Sequence, residues 1–441
     1  MLDLTAIHGA MLETPAKGLP PLTDGLPVSR IPALSLNVLR GELPFPVMVI
    51  REAALMANIR SLARAADDAG VSLAPHGKTT MAPQIFDLQL TAGAWAITLA
   101  NMHQAAIAAH FGVPRILVAN SITADADIAR LAQISQHHEI IVTSDSAAHA
   151  QRLATRLTAW GLQQPVPVLV EYGIPGQRCG CRTFDQVRDV VSEILRHPSA
   201  LVPAGIIGYE GLLESGKRDD EAHAVIAWMG ELLQAADCLR SCALYKNECI
   251  ISAGGSAFID LVLDFMQANR PDYPHRFVLR SGCAVAHDDG WYAGFSSAMR
   301  ARNPHAPKLQ PVLELWSIVQ GRPEPDIVIL SFGKRDCPYD AGLPVPKLAR
   351  LTVPAAEESP LPGMSPTPGD LPLVALDPAL YQIDRLYDQH ARLRCPDTSP
   401  LQVGDLVACG ISHPCGAFDR WQWIPTVNES YSVTDLIRTF F

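Results

Sequence analysis

The stretch SLAPHGKTTMAPQIF, residues 72 to 86, sets an imidazole and an amine two positions apart, His76 and Lys78, ahead of a helix-like run. Side chains of extended backbone alternate with period two, so the pair is expected on one face of a strand. A second chemically loaded stretch is GISHPCGAFDRW, residues 410 to 421. His413 and Cys415 stand at i and i+2 there, which in extended backbone turns both to one side and Pro414 to the other. An imidazole with a thiolate favours Zn²⁺ over Mg²⁺ or Mn²⁺, because soft sulfur selects the softer cation. Two protein ligands leave positions open for water and substrate, as a catalytic metal requires. A third stretch, SAGGSAF, places Gly254, Gly255 and Ser256 before a probable helix, where backbone N–H groups and a helix N-terminus converge on a place for an anion. Gly282, in RSGC, supplies a second small-residue turn.

These residues need elements to hold them. Eight β-rich runs alternate with helical patterns, at 71–77, 95–99, 115–119, 139–143, 166–172, 203–209, 248–253 and 276–281. Among the helical segments, RDDEAHAVIAWMGELLQAAD carries Ala222, Val225, Ile226, Met229, Leu232 and Leu233 as one stripe. Strand and helix repeated eight times is the pattern of an α/β (β/α)8 TIM-type barrel, with an open doubly wound sheet as the alternative. Past residue 290 separated β-like runs follow, PVLELWSIVQ, DIVILSFG, PKLARLTV and GDLVACGIS. The expected division is therefore a barrel over residues 40 to 290 and a mainly β domain built from 1–39 and 291–441, the latter carrying His413 and Cys415. Residues 353 to 373 hold six prolines and read as an irregular surface excursion without chemistry.

In such a barrel the chemistry sits at the C-terminal ends of the strands. Those ends carry His76 and Lys78, Asn101 and His103, Asn120, Asp145, Glu171 with Arg178, Tyr209, the Gly254–Gly255–Ser256 turn, and Arg280, Ser281 and Gly282. The last two ends are where barrels often keep a phosphate, and closure sets Lys78 on the neighbouring first strand. An amine in reach of a phosphate-anchored carbonyl cofactor is how a pyridoxal 5'-phosphate Schiff base is built.

Composition narrows the partners. The 441 residues are 48% hydrophobic and carry a formal charge of −10, with no Lys/Arg cluster of the kind nucleic acid or anionic lipid needs. MLDLTAIHGAMLETPAKG has neither a basic nor an apolar leader region, and no window reaches the roughly 18 apolar residues of a membrane span. A soluble, cytoplasmic protein acting on a small molecule is expected. The ten cysteines are scattered, and the pairs Cys179/Cys181 and Cys238/Cys242 read as buried thiols rather than metal ligands.

Taken together, PHGKTTMAPQIF, YEG at 209–211, SAGGS, DQHARL at 388–393 and SHPCGAFDRW resemble the D-serine dehydratase and D-threonine aldolase group of pyridoxal phosphate enzymes. The match runs from about residue 30 to the C-terminus. The resemblance implies the alanine racemase-like architecture, fold type III among pyridoxal phosphate enzymes, and a homodimer. It makes Lys78 the Schiff-base lysine and Gly254, Gly255, Ser256 and Gly282 the phosphate cradle. Tyr209 and Arg178 would face the ring nitrogen and the ring-hydroxyl side. His413 and Cys415 resemble the zinc pair of the dehydratase branch, whereas the aldolase branch has aspartate where this chain has Cys415. The implied activity is zinc-assisted dehydration of D-serine or a related D-3-hydroxy amino acid to a 2-oxo acid and ammonia. The alternative is a metal-dependent D-threonine-type aldolase. A racemase needs a second base and no metal, and a non-catalytic pyridoxal phosphate carrier lacks a second domain. The chain departs from the dehydratases in its greater length and in the proline-rich insert.

Overall fold

The computed structural model describes residues 1–13, 15–215, 218–304, 306–352 and 373–441. All but the last position of the proline-rich insert lies outside the described residues. β1 (Val47–Arg51) and the helix Glu52–Asp68 precede eight parallel strands: β2 (Ser72–Leu73), β3 (Ile97–Leu99), β4 (Arg115–Ser121), β5 (Glu139–Ser144), β6 (Val166–Tyr172), β7 (Leu201–Gly208), β8 (Cys249–Ala253) and β9 (His275–Leu279). Their order is β2-β9-β8-β7-β6-β5-β4-β3. The ring closes beyond the end of β2: Trp95 N–H donates to Leu73 O at 2.6 Å, Thr98 N–H donates to Pro75 O at 2.9 Å, and His76 bridges Thr98 in parallel. β2 is two residues long because Pro75 has no N–H to continue the ladder.

The eight runs expected from sequence are these eight strands. Continuous apolar runs are what a parallel strand buried on both faces requires. Inside the barrel, small residues such as Ala74, Ala96 and Ala204 interleave with Leu117, Ile141, Leu169 and Val278, so the interior is packed rather than hollow. Outside, the buried line of Arg218–Asp237 is Val225, Trp228, Met229 and Leu232. Ile226, expected on that stripe, is 46% exposed, because the face that meets the sheet is set by Trp228 rather than by the neighbouring turn.

The second sheet runs β13-β12-β16-β10-β1-β17-β18, with β11, β15 and β14 branching from β10. Its strands are β10 (Leu313–Glu324), β11 (Ile327–Leu330), β12 (Val345–Arg350), β13 (Leu373–Ala375), β14 (Gln382–Leu386), β15 (Ala391–Arg394), β16 (Leu406–Gly410), β17 (Trp423–Val427) and β18 (Val433–Arg438). β1 belongs here. It pairs antiparallel with β10, Val47 opposite Trp316, and parallel with β17, Ile50 opposite Thr426. The barrel boundary expected at residue 40 therefore falls at the end of β1. An apolar run buried on both faces looks the same in either sheet, and only its partners distinguish them. The N-terminal segment lies against this sheet: Ile7, Val28 and Ile31 share a core with Trp316, Trp423 and Leu436. Among the described residues no helix is long and apolar enough to cross a membrane.

A buried amide joins the two units. Gln84, on the barrel helix Pro83–Thr91, donates from Nε2 to Leu436 O at 2.7 Å and accepts at Oε1 from Arg438 N–H at 3.0 Å, so its side chain occupies a donor and an acceptor of β18. Gln84→Leu keeps the volume and leaves both backbone groups buried without partners, each costing about 1–3 kcal/mol. A loss of about 3 kcal/mol is expected, read as a lower urea midpoint. An unchanged midpoint would show that this junction contributes nothing to stability.

Candidate active site

A cavity of about 790 Å³ opens at the C-terminal ends of the barrel strands, and all nine residues singled out above line it: Lys78, Arg178, Tyr209, Gly254, Gly255, Ser256, Gly282, His413 and Cys415. The barrel strands β2–β9 supply the floor and walls, and His413 and Cys415 enter from the second unit.

Lys78 is not on a strand. β2 ends at Leu73, and Lys78 sits in the 3₁₀ turn Gly77–Thr79 that follows. The strand face expected to carry His76 and Lys78 together is replaced by a turn pressed against the next helix, where a Cβ on Gly77 would meet Phe86 Cε1 at 2.6 Å. His76 stays extended, at φ −78° and ψ 99°, and caps the turn. Burial, reinforced by the charges of Lys78 and Arg280, holds its imidazole well below the ordinary histidine value, and its Nδ1 has no partner. His76 is a neutral group at the cavity wall.

The anion cradle is arranged differently from the expectation. Glu210, fully buried, accepts Gly254 N–H at 3.0 Å and Gly255 N–H at 2.6 Å. The two amides assigned to a phosphate are thus occupied by a carboxylate. The backbone N–H groups of Ser256, Gly282 and Cys283 donate to no acceptor among the described residues, and these remain for an anion. The glycines are still required by space. A Cβ on Gly255 would meet Tyr209 Cε2 at 2.6 Å, and one on Gly282 would meet His76 O at 2.3 Å. Nothing local in YEG announced the Glu210 clamp, because its partners lie 44 and 45 residues away.

Beside the cradle, Arg280 is buried at the end of β9, with Nε donating to Ser252 Oγ at 2.9 Å and Nη2 to Gly208 O. Burial lowers its guanidinium, while Glu210, Glu171 and Tyr209 oppose that shift. Burial also raises the Glu171 carboxyl, and it pushes the Tyr209 phenol up to about 12, with Glu210 adding to the effect. Tyr209 is therefore an un-ionised phenol, with the Arg178 guanidinium 5.6 Å from its ring centre. An amine, a neutral phenol and three free amides around a cavity of this size fit a phosphorylated pyridine aldehyde.

Adjoining the cradle, Cys283, His413 and Cys415 place their ligand atoms within 4.8 Å of one another. The His-x-Cys pair is not extended. His413, at φ −160° and ψ 131°, leads into a 3₁₀ turn over Pro414–Gly416 that carries Cys415. Cys283 Sγ lies 3.0 Å from Cys415 Sγ, and Thr79 Oγ1 lies 3.3 Å from the first sulfur and 3.4 Å from the second. Sequence reasoning does not reach Cys283, which enters it only as the end of the RSGC turn, and 132 residues separate it from its partner. The available signal was a thiol immediately after the last barrel strand. The Cys415 hydrogen bond draws the Cys283 thiol down, and the same bond raises Cys415. Two sulfurs and one imidazole nitrogen suit Zn²⁺ and leave one tetrahedral position open. Of the other rim residues, Asn120 lines the cavity, whereas Asn101 caps a helix by accepting Gln104 N–H at 2.9 Å and Asp145 accepts Gly180 N–H at 3.2 Å.

Residues 312–427 match the family described as "Putative serine dehydratase domain". The chain is 24% identical over 327 residues to a D-threonine aldolase of Arthrobacter sp, covering 74% of this chain and 78% of that protein. Among solved structures it resembles D-threonine aldolase from Filomicrobium marinum, with a TM-score of 0.71, 20% identity and coverage of 92% and 96% of the two chains. It also resembles D-threo-3-hydroxyaspartate dehydratase from Delftia sp. HT23, with a TM-score of 0.68, 19% identity and coverage of 92% and 99%. The motif resemblance and the barrel-plus-β architecture both stand.

The neutral His76 has a consequence for stability. Its folded value lies below the unfolded one, so its contribution is intact above the ordinary histidine range and is lost as pH falls below that range, where the unfolded chain takes up a proton that the fold refuses. His287, held down at about 4 chiefly by burial, acts in the same direction. Urea midpoints should fall between pH 7 and pH 5, and less steeply in His76→Gln, by up to about 1.4 kcal/mol per pH unit. Identical slopes in the two proteins would mean that His76 titrates normally.

Proposed function

We propose that this chain, carrying a serine-dehydratase-type domain on an alanine racemase-like frame, is a pyridoxal 5'-phosphate-dependent lyase that dehydrates D-serine or a related D-3-hydroxy amino acid with the aid of zinc. The observation that carries the reading is the convergence of an amine, free backbone amides and a two-sulfur, one-nitrogen cluster on one cavity. When bound, the cofactor supplies an electron sink for the α-carbon and zinc supplies a Lewis acid for the β-oxygen. Ser256, Gly282 and Cys283 would hold the phosphate end through their N–H groups, with Gly254 and Gly255 shaping that wall. Lys78 Nζ would hold the carbonyl end and is placed to take the α-proton of the substrate. Tyr209 would offer a neutral phenol to the ring nitrogen, and Arg178 would serve the ring-hydroxyl side. Cys283, His413 and Cys415 would hold the metal and leave one position open for the substrate. Loss of the α-proton and of hydroxide releases an enamine, whose hydrolysis gives the 2-oxo acid and ammonia.

The aldolase reading uses the same residues and is favoured by the relatives named D-threonine aldolase. Two thiols at the metal favour dehydration, because they select zinc over the harder cations. The same reading makes the enzyme a cytoplasmic homodimer. Support for assembly comes from exposed Trp291, Tyr339 and Leu343, on and beside the cavity-lining segment that includes Asp340 and Ala341.

Two measurements test the proposal. Protein loaded with pyridoxal phosphate and zinc should release ammonia and a 2-oxo acid from a panel of D-serine, D-threonine and D-threo-3-hydroxyaspartate. Glycine with an aldehyde would move the assignment to the aldolase, and no turnover of any D-3-hydroxy amino acid would overturn it. Borohydride should fix the cofactor to the peptide containing Lys78, and Lys78→Ala should lower turnover by at least about 10²-fold. A label on another lysine would remove Lys78 from this role.

A further inference from the structure

Behind His413 two buried polar atoms face one another without partners, His413 Nδ1 and Asp288 Oδ2, 3.9 Å apart. A carboxylate oxygen shut away from water and unsatisfied is costly, and so is an unsatisfied ring nitrogen. Each supplies what the other lacks. The rest of Asp288 is engaged: Oδ1 accepts Gly290 N–H at 3.0 Å and Tyr292 N–H at 2.8 Å, at the start of the helix Trp291–Arg302. The carboxylate is thereby held in place with its second oxygen aimed at the imidazole. The Tyr292 ring, 5.6 Å from that of His413 and tilted 36° to it, limits how the imidazole turns. With Nδ1 buried on the Asp288 side, Nε2 is the nitrogen left to the cavity and its sulfurs.

We propose that Asp288 is the positioning residue of the metal cluster: Oδ2 accepts His413 Nδ1–H, which fixes the tautomer whose unprotonated Nε2 faces Cys283 and Cys415. The inference rests on the metal reading above. Closing the gap from 3.9 Å to a hydrogen-bond length of about 2.8 Å needs only a small shift of the imidazole, which a ligated Nε2 would hold. Ligating histidines commonly donate their other N–H to a carboxylate, which fixes ring orientation and raises ligand basicity. Asp288 and His413 come from different units of the chain, so the contact also aligns the barrel rim with the His413–Cys415 turn.

Asp288→Asn separates this role from helix capping. The amide oxygen can still accept from Gly290 and Tyr292, while the amide NH₂ now points a donor at Nδ1 and favours the tautomer with hydrogen on Nε2, which cannot ligate. Thermal midpoint and cofactor absorbance should match the parent, while zinc affinity, measured by competition with a chromophoric chelator, should fall roughly 10–100-fold. Nitrogen-15 NMR of His413 in the zinc-loaded parent should find the proton on Nδ1, a readout that stands even if the variant fails to fold. Parent and variant binding zinc equally tightly, or a proton on Nε2 in the parent, would overturn the positioning role and leave the metal reading intact. A parent chain that binds no zinc would overturn both.

Discussion

The approach of two sulfurs to 3.0 Å, Cys283 from the barrel and Cys415 from the second unit, is the constraint that the remaining structure serves. A thiol pair of this kind fits a metal only if the parts that carry it are held to within a few tenths of an ångström. The chain meets that demand by crossing between its units repeatedly. β1 leaves the second sheet directly into the helix Glu52–Asp68, Gln84 completes the bonding of β18, and Thr79, one residue past Lys78, touches both sulfurs. The turn that presents the amine therefore also braces the metal cluster. The position of the amine and that of the sulfur cluster are thereby coupled through residues 78 and 79.

Small residues at the ends of β8 and β9 answer a spatial demand more than an electrostatic one. Glu210 takes the N–H groups of Gly254 and Gly255, which would otherwise be natural anion donors, and fixes the turn from below. What remains accessible are the amides around Ser256, Gly282 and Cys283, and only glycine fits at 282 because His76 O lies 2.3 Å from where a Cβ would be. Closure of the barrel at Pro75–His76 and formation of the cradle are thus one packing problem. The short β2 that proline enforces is what brings His76 O against Gly282.

The sequence made the eight barrel strands legible because a parallel strand buried on both faces must be an uninterrupted apolar run, and it made the rim residues legible because polar groups collect where those runs stop. It misled where a local pattern has two structural solutions. The run at Val47–Arg51 fits either sheet, PHGK fits a strand or a turn after a proline, and SHPC fits extended backbone or the 3₁₀ turn it adopts. It was silent where a role is created by a distant partner. Nothing local to Cys283, Glu210 or Asp288 names its role, and each acquires its place from residues more than forty positions away or from the other unit of the fold.

Burial and neighbouring charges decide the charge that a ligand meets. The Arg280 guanidinium is matched by Glu210 and Glu171, His76 is neutral through burial, and Tyr209 keeps its proton, so most polar groups of the wall offer no net charge. Lys78 and Arg178 line the cavity with no carboxylate at ion-pair distance among the described residues. In a confined site their field is screened less than it would be in open water. Glu171, Glu214 and Asp340 line the same cavity, so the two cations and these carboxylates together set the field that an anionic ligand would meet. The two sulfurs are braced by Thr79, the residue after Lys78, and there a divalent cation would balance their negative charge.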